Sequence, residues 1–379
     1  ADAFQLDPDV LTEIAAQLQN HPLSGSDADV EGKLYDEMVG AYCLGERGEF
    51  FTPSNICRMA VAMLNPQPHH LILDPACGTG RFLIAAATAL QQNARAHSRE
   101  PTKTPAATSG ESDANPSLIG IDCNPELLRV AKMNQVMHGR QNGVFLAADS
   151  LKPPRDLPPA AARLLGNVDV ILANPPYGEK MFVTDPSVLE QYDLGHIWRN
   201  DKTADTWTQT PSIKRRQAPE ILFIERCVQF LKPGTGRAAL VLPNGALGSP
   251  SLAYAREWIL RHTRVLASIH LHPDTFQPVI GIRASLLLLQ RKASPTHDRD
   301  DDKVFMALAE HIGHDRRGKP VYRRDDTGRE LTQDVEERVK TWHEGTVRQQ
   351  TRTARRKVLD DTTPRIAETF RAWLERQSR

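Results

Sequence analysis

The chain has 379 residues, of which 40% are hydrophobic and 25% are charged, proportions typical of a globular protein with a full hydrophobic core. Its 47 lysines and arginines balance 47 aspartates and glutamates, so the strongly basic charge of a protein that grips nucleic acid alone is absent. No apolar run approaches the roughly 20 residues of a membrane helix, and no signal-peptide pattern is present. The five cysteines show no zinc-type spacing. We therefore expect a cytoplasmic protein with reduced thiols, no metal and no membrane partner.

In chain order, the predicted elements begin with helices and then alternate. Residues 1–45 carry apolar side chains at helical spacing and predict two short helices. From about residue 70, short apolar strands alternate with amphipathic helices, except that the last two strands follow one another directly. The strands are the runs "HLILDPA", "SLIGID", "VFLAAD", "VDVILAN", "GRAALVLPN", "VLASIHLH" and "RASLLLLQRK". The pattern predicts an α/β, Rossmann-like sheet of seven strands, with helices on both faces and one antiparallel edge strand.

Two segments interrupt this alternation. Residues 97–117 are rich in Ser, Thr, Pro and Ala and predict a flexible surface insertion. Residues 178–217 lack clear periodicity and predict a long loop, which in a compact domain is commonly functional or disordered. We divide the chain into an N-terminal helical segment (1–45), a central α/β domain (46–292), and a C-terminal region (293–379) with a small strand and a helical tail.

Carboxylates stand at three successive strand ends, and glycines follow the first of them. In "LILDPACGTGRFLIAAA", Gly78 and Gly80 allow close approach of a ligand to the backbone, and Asp74 suits a cation better than a phosphate. The spacing fits neither GxGxxG nor a Walker A loop. Asp122 ends the second strand, where a ribose diol is typically held, and Asp149 ends the third and could accept from an adenine amine. S-adenosylmethionine combines these groups.

Five motifs occur in an order that resembles the N6-adenine DNA methyltransferases. They are "GEFFTP" (48–53), "DPACGTG" (74–80), "GIDCNP" (120–125), "AADS" (147–150) and "NPPYG" (174–178). The chain looks most like the modification subunit of type I restriction–modification systems and related phage-defence methylases. The resemblance covers roughly residues 30–292 and implies a class I S-adenosylmethionine-dependent methyltransferase fold.

The resemblance also implies how the cofactor would be held. By similarity, the segment before Pro53 closes over the methionine end of the cofactor, the glycine loop lines its amino-acid portion, and two aspartates hold its ribose hydroxyls and adenine amine. The residues concerned are, in that order, Glu49, Phe50, Phe51 and Thr52; Asp74, Gly78, Thr79 and Gly80; Asp122; and Asp149. Phe51 and Thr52 also allow a second interpretation, in which they belong to a helix start with Thr52 as N-cap and Pro53 at the first helical position.

The turn Asn174–Pro175–Pro176–Tyr177 supplies the chemistry in such enzymes. The exocyclic amine of adenine is a poor nucleophile, and fixed acceptors at the Asn174 side chain and the Pro175 carbonyl let its nitrogen rehybridise during attack. The prolines keep the turn rigid. The base has to be flipped out of the duplex, and Tyr177 would stack on it, with Phe276 as a weaker candidate for the other side. Neither a metal nor a covalent enzyme intermediate is required.

The expected partners follow from what the chain lacks. No complete target-recognition domain is evident after residue 293, and the net charge is neutral, so we expect double-stranded DNA to be recognised with a separate specificity subunit. A restriction (nuclease) subunit could accompany them. Lys214, Arg215 and Arg216, together with the basic tail 348–357, are the candidates for contact with DNA or a partner.

Two alternatives remain open from the sequence. Related Asn/Ser-Pro-Pro-Tyr turns serve methyltransferases that act on N4 of cytosine, on ribosomal RNA or on protein glutamine. The chain could also be a catalytically silent scaffold that binds the cofactor and positions a partner on DNA. "GEFFTP" and the segment after NPPYG favour adenine in DNA over the first alternative, and the intact motifs argue against the second.

Overall fold

The computed structural model describes residues 51–97, 117–138, 143–178, 181–201, 206–296, 302–343 and 346–377. The predicted N-terminal helical segment, most of the predicted insertion 97–117, and the predicted site residues Glu49 and Phe50 lie outside these described residues. Within them, no helix is both long enough and apolar enough to cross a membrane.

Strands and helices alternate along the described chain as the sequence predicts. The strands are β1 (Leu71–Asp74), β2 (Ser117–Asp122), β3 (Gly143–Ala147), β4 (Val170–Ala173), β5 (His196–Asp201), β6 (Thr206–Ile213), β7 (Arg237–Pro243), β8 (Thr263–His270), β9 (Ala284–Arg291), β10 (Phe305–Leu308), β11 (Thr332–His343) and β12 (Thr346–Lys357). The helices are α1 (Ser54–Leu64), α2 (Arg81–His97), α3 (Pro125–Met137), α4 (Pro159–Ala162), α5 (Pro186–Leu189), α6 (Pro219–Phe230), α7 (Asn244–Gly248), α8 (Ala253–His262) and α9 (Thr363–Gln377).

Eight of the described strands form one sheet, in the order β3-β2-β1-β4-β7-β9-β8-β10. All neighbouring pairs are parallel except those made by β9, which runs antiparallel to β7 and β8. The predicted α/β sheet with one reversed strand is thereby confirmed, with two differences. The reversed strand lies inside the sheet and not at its edge, because residues 284–289 are apolar or small and buried. An eighth strand, β10, extends the sheet beyond β8.

Two apolar layers cover the two faces of the sheet. Helices α1, α2 and α9 contribute to the core on one face, and α4, α6 and α8 contribute to the core on the other. The pleat of β4 illustrates the division: Val170 and Leu172 belong to the first core, and Ile171 and Ala173 belong to the second. Because all four side chains are fully buried, the strand is a rigid support for the residues that follow it.

The end of the chain completes the first of these cores. Helix α9 packs against α1, and it buries Ile366, Ala367 and Phe370. The Phe370 ring lies 5.4 Å from the ring of Phe305 on β10, measured between centroids. Thus β10 and α9, both from the predicted C-terminal region 293–379, belong to the same compact unit as the large sheet.

The segment predicted as a long loop (178–217) contains regular structure, so that prediction is wrong. Besides α5 and a 3₁₀ turn (Asp193–Gly195), it forms the antiparallel hairpin of β5 and β6. Most side chains of the hairpin are polar and exposed, and the apolar anchors are Trp198 and Trp207, whose rings lie 6.1 Å from that of Tyr254 on α8. Two widely spaced tryptophans are too few to produce a recognisable strand periodicity.

Residues Tyr322–Val358 belong to a second compact unit. Its described part contains the long antiparallel hairpin of β11 and β12, in which Thr332 pairs with Lys357 and His343 with Thr346. The basic tail 348–357 therefore lies on a β-strand, within this second unit.

We expect Phe370→Ala to lower the free energy of unfolding by about 3–5 kcal/mol, since it removes a buried aromatic ring from a packed core. Urea denaturation of the purified chain measures this loss. Arg371→Ala changes the exposed neighbouring residue and should shift stability by less than about 0.5 kcal/mol. Equal effects of the two substitutions would contradict a role of α9 in the core.

Candidate functional site

The carboxyl ends of β1, β2, β3 and β4 meet at one edge of the sheet because these neighbouring strands are parallel. The residues that follow these ends form the candidate site. The loop after β1 turns into α2 through two glycines with positive φ angles, Gly78 (+51°) and Gly80 (+79°). Among the described residues outside Gly78 and its chain neighbours, no heavy atom lies within 4 Å of where a Cβ on Gly78 would be, so the loop leaves open space there for a ligand.

The loop is held in place from the neighbouring strands and helices. The Cys77 N–H donates to the Ile121 carbonyl (3.0 Å), and the buried Asn134 side chain on α3 donates to the Thr79 carbonyl (3.1 Å). The Asp122 carboxylate accepts from the Gly78 N–H and from the Asn124 N–H, each at 2.8 Å. One carboxylate therefore connects the loop after β1 to the turn after β2.

The turn after β3 has a similar structure. Asp149 accepts from the Leu151 N–H (2.9 Å) through one of its oxygens. The buried Ser150 hydroxyl donates to the carbonyl of Pro75 in the glycine loop (2.6 Å). Asp74, Asp122 and Asp149 thus belong to one connected set of turns at the same edge of the sheet.

Asp74 occupies an environment that disfavours its charge. Its side chain is buried and accepts from the Ala76 N–H (3.1 Å). Burial raises the pKa of the Asp74 carboxyl well above its ordinary value, the Ala76 hydrogen bond opposes this rise, and the charge of Asp122 adds to it. A cation bound between the two carboxylates would relieve both unfavourable effects.

The residues before α1 approach the same loop. Arg81, the first residue of α2, donates to the Thr52 carbonyl (3.4 Å), and its guanidinium lies 5.3 Å from the centroid of the Phe51 ring. Thr52 is buried. Pro53, and not Thr52, immediately precedes α1, and in the described part of the chain no side-chain hydrogen bond caps the helix at this position. The alternative interpretation of Thr52 as an N-cap is therefore wrong.

The turn Asn174–Tyr177 follows β4 directly. Pro175 and Tyr177 are buried, whereas Asn174 is partly exposed. Burial raises the pKa of the Tyr177 hydroxyl, the neighbouring Asn174 side chain lowers it, and the charge of Glu220 raises it further. Tyr177 is only 2% exposed, so its ring does not present a face to solvent.

One cleft brings these elements together. Asn174 lines it along with residues from the segment before α1 and from the glycine loop: Phe51, Thr52, Asp74, Ala76, Cys77, Gly78, Thr79, Arg81 and Phe82. The loop expected to hold a cofactor and the Asn of NPPY therefore share one cavity.

Two of the predicted residues, Phe276 and Lys214, have surroundings that differ from the expectation. Phe276 is 4% exposed and belongs to the core beneath α1, so the structure favours a structural role over base stacking. The Lys214 ammonium lies over the Tyr254 ring, 3.9 Å from its centroid, and hydrogen-bonds its hydroxyl. Burial lowers the pKa of Lys214 to about 8. Arg215 and Arg216 are exposed, and Arg216 lies over the Phe182 ring.

Sequence reasoning missed two groups near the site. The charge of Glu220, in the first turn of α6, raises the pKa of Tyr177. Cys77 and Phe82 line the cleft. Cys77 lies within the motif "DPACGTG" and Phe82 stands just after it. Their position in the sequence could therefore have indicated a place near the cofactor loop. No sequence signal linked Glu220 to Tyr177, because 43 positions separate them and only the fold brings them together.

We expect Asp74→Asn to increase the stability of the unliganded chain, and the increase to grow with pH. The folded-state pKa of Asp74 lies above its ordinary value of 3.8. Ionisation therefore opposes folding increasingly as the pH rises from the unfolded to the folded pKa. Urea denaturation at pH 5.5, 7.0 and 8.5 measures the difference.

Asp169→Asn is the matched control. Partial burial alone would raise the pKa of Asp169, but the Lys232 ammonium (2.7 Å) and the Leu71 N–H hold this pKa below its ordinary value. The ionised form of Asp169 therefore stabilises the fold at every pH above its ordinary pKa. The substitution should accordingly destabilise the chain at all three pH values. If Asp74→Asn behaved like Asp169→Asn, the assignment of Asp74 as a destabilising site carboxylate would be wrong.

Comparison with known proteins agrees with this geometry. The methylase subunit of type I restriction enzyme EcoEI from Escherichia coli is 26% identical over 280 residues, which are 73% of this chain and 49% of that subunit. The methylase subunit of type I restriction enzyme MjaIX from Methanocaldococcus jannaschii is 24% identical over 288 residues, 75% of this chain and 44% of that subunit. The chain thus spans about half the length of these curated relatives.

A solved structure shares the fold. The methyltransferase subunit of a type I restriction–modification system from Streptococcus thermophilus superposes with a TM-score of 0.57 and 20% sequence identity, covering 83% of this chain and 58% of that chain. Together with the strand order, this likeness confirms the predicted class I methyltransferase fold.

The resemblance inferred from the ordered motifs is confirmed at the level of the family. The sequence profile of the N-6 DNA Methylase family matches residues 26–360, which include every described part of the cleft. The chain therefore belongs to the N-6 DNA Methylase family.

Proposed function

We propose that this chain transfers a methyl group from S-adenosylmethionine to N6 of a flipped-out adenine in DNA, as the modification subunit of a restriction–modification or phage-defence complex. The observation that carries the proposal is the single cleft lined by both the glycine loop and Asn174. Membership of the N-6 DNA Methylase family supports it, and so does the similarity to methylase subunits of type I restriction enzymes.

The chemistry of the donor set fits this cofactor. S-adenosylmethionine, when bound, supplies an electrophilic methyl group on a sulfonium cation. Asp74 is buried beside a second carboxylate, an arrangement that favours a cationic ligand. Asp122 and Asp149 each use backbone N–H groups to fix their orientation, and their remaining lone pairs can accept from ribose hydroxyls and an adenine amine.

Asn174 and Pro175 act on the substrate amine in this proposal. Their oxygens accept the two amine hydrogens and so help the nitrogen lone pair to develop as it attacks. The Tyr177 hydroxyl lies near the Asn174 side chain and, by donating to its amide oxygen, would hold that amide in one orientation. Stacking of Tyr177 on the base, as the resemblance implies, requires the ring to become exposed first, since it is buried in the free chain.

A separate specificity subunit and double-stranded DNA are the proposed macromolecular partners. The neutral formal charge supports this division, because a protein that binds DNA strongly alone usually carries a basic excess. A nuclease subunit would complete a restriction system. Exposed Arg215 and Arg216, close to the hairpin of β5 and β6, are the proposed contacts with the DNA backbone.

Asn174→Ala is expected to lower methyl transfer by about 100-fold or more, since it removes a preorganised acceptor, while binding of the cofactor is retained. The chain is purified from its host together with its associated subunits and given tritiated S-adenosylmethionine and unmethylated amplified host DNA. Nucleoside digestion with mass spectrometry identifies the product. Asn167→Ala, at an exposed asparagine, is the control and should retain activity.

The product distinguishes the alternatives. N6-methyladenine supports the proposal, and N4-methylcytosine, methylated RNA or methylglutamine would replace it with another substrate. Cofactor binding without transfer by the wild-type complex would instead favour a silent scaffold.

Reversing the charge of Arg215 and Arg216 to Glu should weaken DNA binding and reduce the slope of log affinity against log salt by about two. Lys214→Met should leave that slope unchanged, because its ammonium packs on Tyr254. Fluorescence anisotropy with labelled duplex DNA across a salt series measures both. A reduced slope for Lys214→Met alone would refute this assignment of the contacts.

A further inference from the structure

Arg226 is an arginine with no exposed surface, on helix α6. Its Nε donates to the Tyr192 hydroxyl (2.7 Å), and one Nη donates to the Gln191 side-chain oxygen (2.8 Å). Tyr192 and Gln191 both belong to the segment that follows NPPYG, between α5 and β5. This arginine therefore joins α6 to that segment in the interior of the protein.

The hydrogen bonds close into a ring on the turn that follows β3. The Tyr192 hydroxyl donates to the Leu151 carbonyl (3.0 Å), and the Gln191 amide donates to the same carbonyl (2.8 Å). The Nη that binds Gln191 also donates to the Lys152 carbonyl (2.9 Å). Two successive carbonyls of this turn are thus held by Arg226 itself and by two side chains that Arg226 binds, Tyr192 and Gln191.

The same turn carries Asp149. The Leu151 N–H donates to the Asp149 carboxylate, so a shift of the Leu151 peptide would rotate that carboxylate as well. On its other side the turn is attached to the glycine loop through Ser150 and Pro75. Arg226 therefore stabilises the turn at Leu151 and Lys152, which follow closely after Asp149, the proposed acceptor for the adenine amine.

Burial of this guanidinium is costly, and stability alone does not account for it. Its Nη1 has no hydrogen-bond partner among the described residues, and burying an incompletely paired cation is unfavourable. Stacking over the Tyr192 ring (4.9 Å) and near the Phe230 ring (5.8 Å) offsets part of this cost. An apolar side chain would fill the space without a charge but could not hold the two carbonyls.

We propose that Arg226 is a positioning residue which, through Tyr192 and Gln191, fixes the turn Asp149–Lys152 so that Asp149 selects an adenine ring in the cofactor. The inference rests on the proposed use of S-adenosylmethionine. It adds a specificity element that lies outside the residues lining the cleft, and it assigns to the segment after NPPYG a part in binding the cofactor.

The test is ligand discrimination by the purified chain, measured by isothermal titration calorimetry. S-adenosylhomocysteine carries the adenine amine, whereas S-inosylhomocysteine carries a carbonyl oxygen that would face the Asp149 carboxylate. Wild type should prefer the adenosyl ligand at least about tenfold, since an unfavourable oxygen–oxygen contact replaces a hydrogen bond. Arg226→Met should lose most of this preference by weakening adenosyl binding, and Arg226→Lys should show a preference below that of wild type.

Two further variants separate positioning from folding. Ile224→Ala truncates a fully buried side chain on the same helix and should lower the melting temperature while keeping the preference. Tyr192→Phe removes only the hydroxyl that links Arg226 to the Leu151 carbonyl, and it provides the decisive measurement if Arg226→Met does not fold. Tyr192→Phe should reduce the preference by a few-fold.

The two possible failures are distinguishable. If wild type shows the preference and Arg226→Met or Tyr192→Phe keeps it unchanged, the positioning role is overturned while the proposed cofactor stands. If wild type binds neither ligand, the proposed cofactor fails, and this inference fails with it.

Discussion

The parallel pairing of β1 with both β2 and β4 is the constraint on which the candidate site depends. It brings the carboxyl ends of these strands to one edge of the sheet, where Asp74 and Asp122 are the last strand residues and Asn174 follows β4 directly. The strands are buried on both faces, so their ends cannot move independently. Polar groups that lie far apart in the sequence thereby acquire fixed positions without any contribution from a bound ligand.

A cost in stability accompanies this arrangement. Asp74 is a buried carboxylate close to Asp122, whereas Asp169, at the opposite edge of the sheet, is paired with Lys232. Both residues flank strands of the same sheet, yet one charge opposes folding and the other favours it. An unfavourable charge that is retained at the edge where the motifs meet is the pattern expected of a ligand site, because a bound cation would remove the penalty.

The segment after NPPYG connects the turn that follows β4 to the turn that follows β3. It begins next to Asn174, and its Gln191 and Tyr192 reach back to the turn that carries Asp149. Its hairpin is anchored by hydrogen bonds from Trp198 and Trp258 to Asp193. The turn that carries Asn174 and the turn that carries Asp149 are thus both connected to this segment, and Arg226 on α6 binds it through Gln191 and Tyr192. A partner that bound the exposed face of this hairpin would contact a segment that is already hydrogen-bonded to the turn carrying Asp149.

The sequence by itself determined the fold class and the residues at the strand ends. Alternating apolar strands and amphipathic helices predict a doubly wound sheet, and a motif that directly follows a strand has its position fixed by that strand. The placement of Asp74, Gly78 and Asn174 in one cleft follows from these local signals once the strands are parallel. Local patterns, however, do not report which strand pairs with which, nor which side chains a neighbouring element covers.

Tertiary packing decided the rest. It placed β9 inside the sheet and added β10, because the pairing of edges depends on the whole set of strands. It buried Phe276 in the core and laid Lys214 on Tyr254, since an aromatic ring or a lysine stem is buried wherever the fold supplies an apolar surface. It also enclosed Arg226 among residues from two distant parts of the chain. Hydrogen bonds across such separations leave no periodic trace in a sequence, so only the folded structure could reveal them.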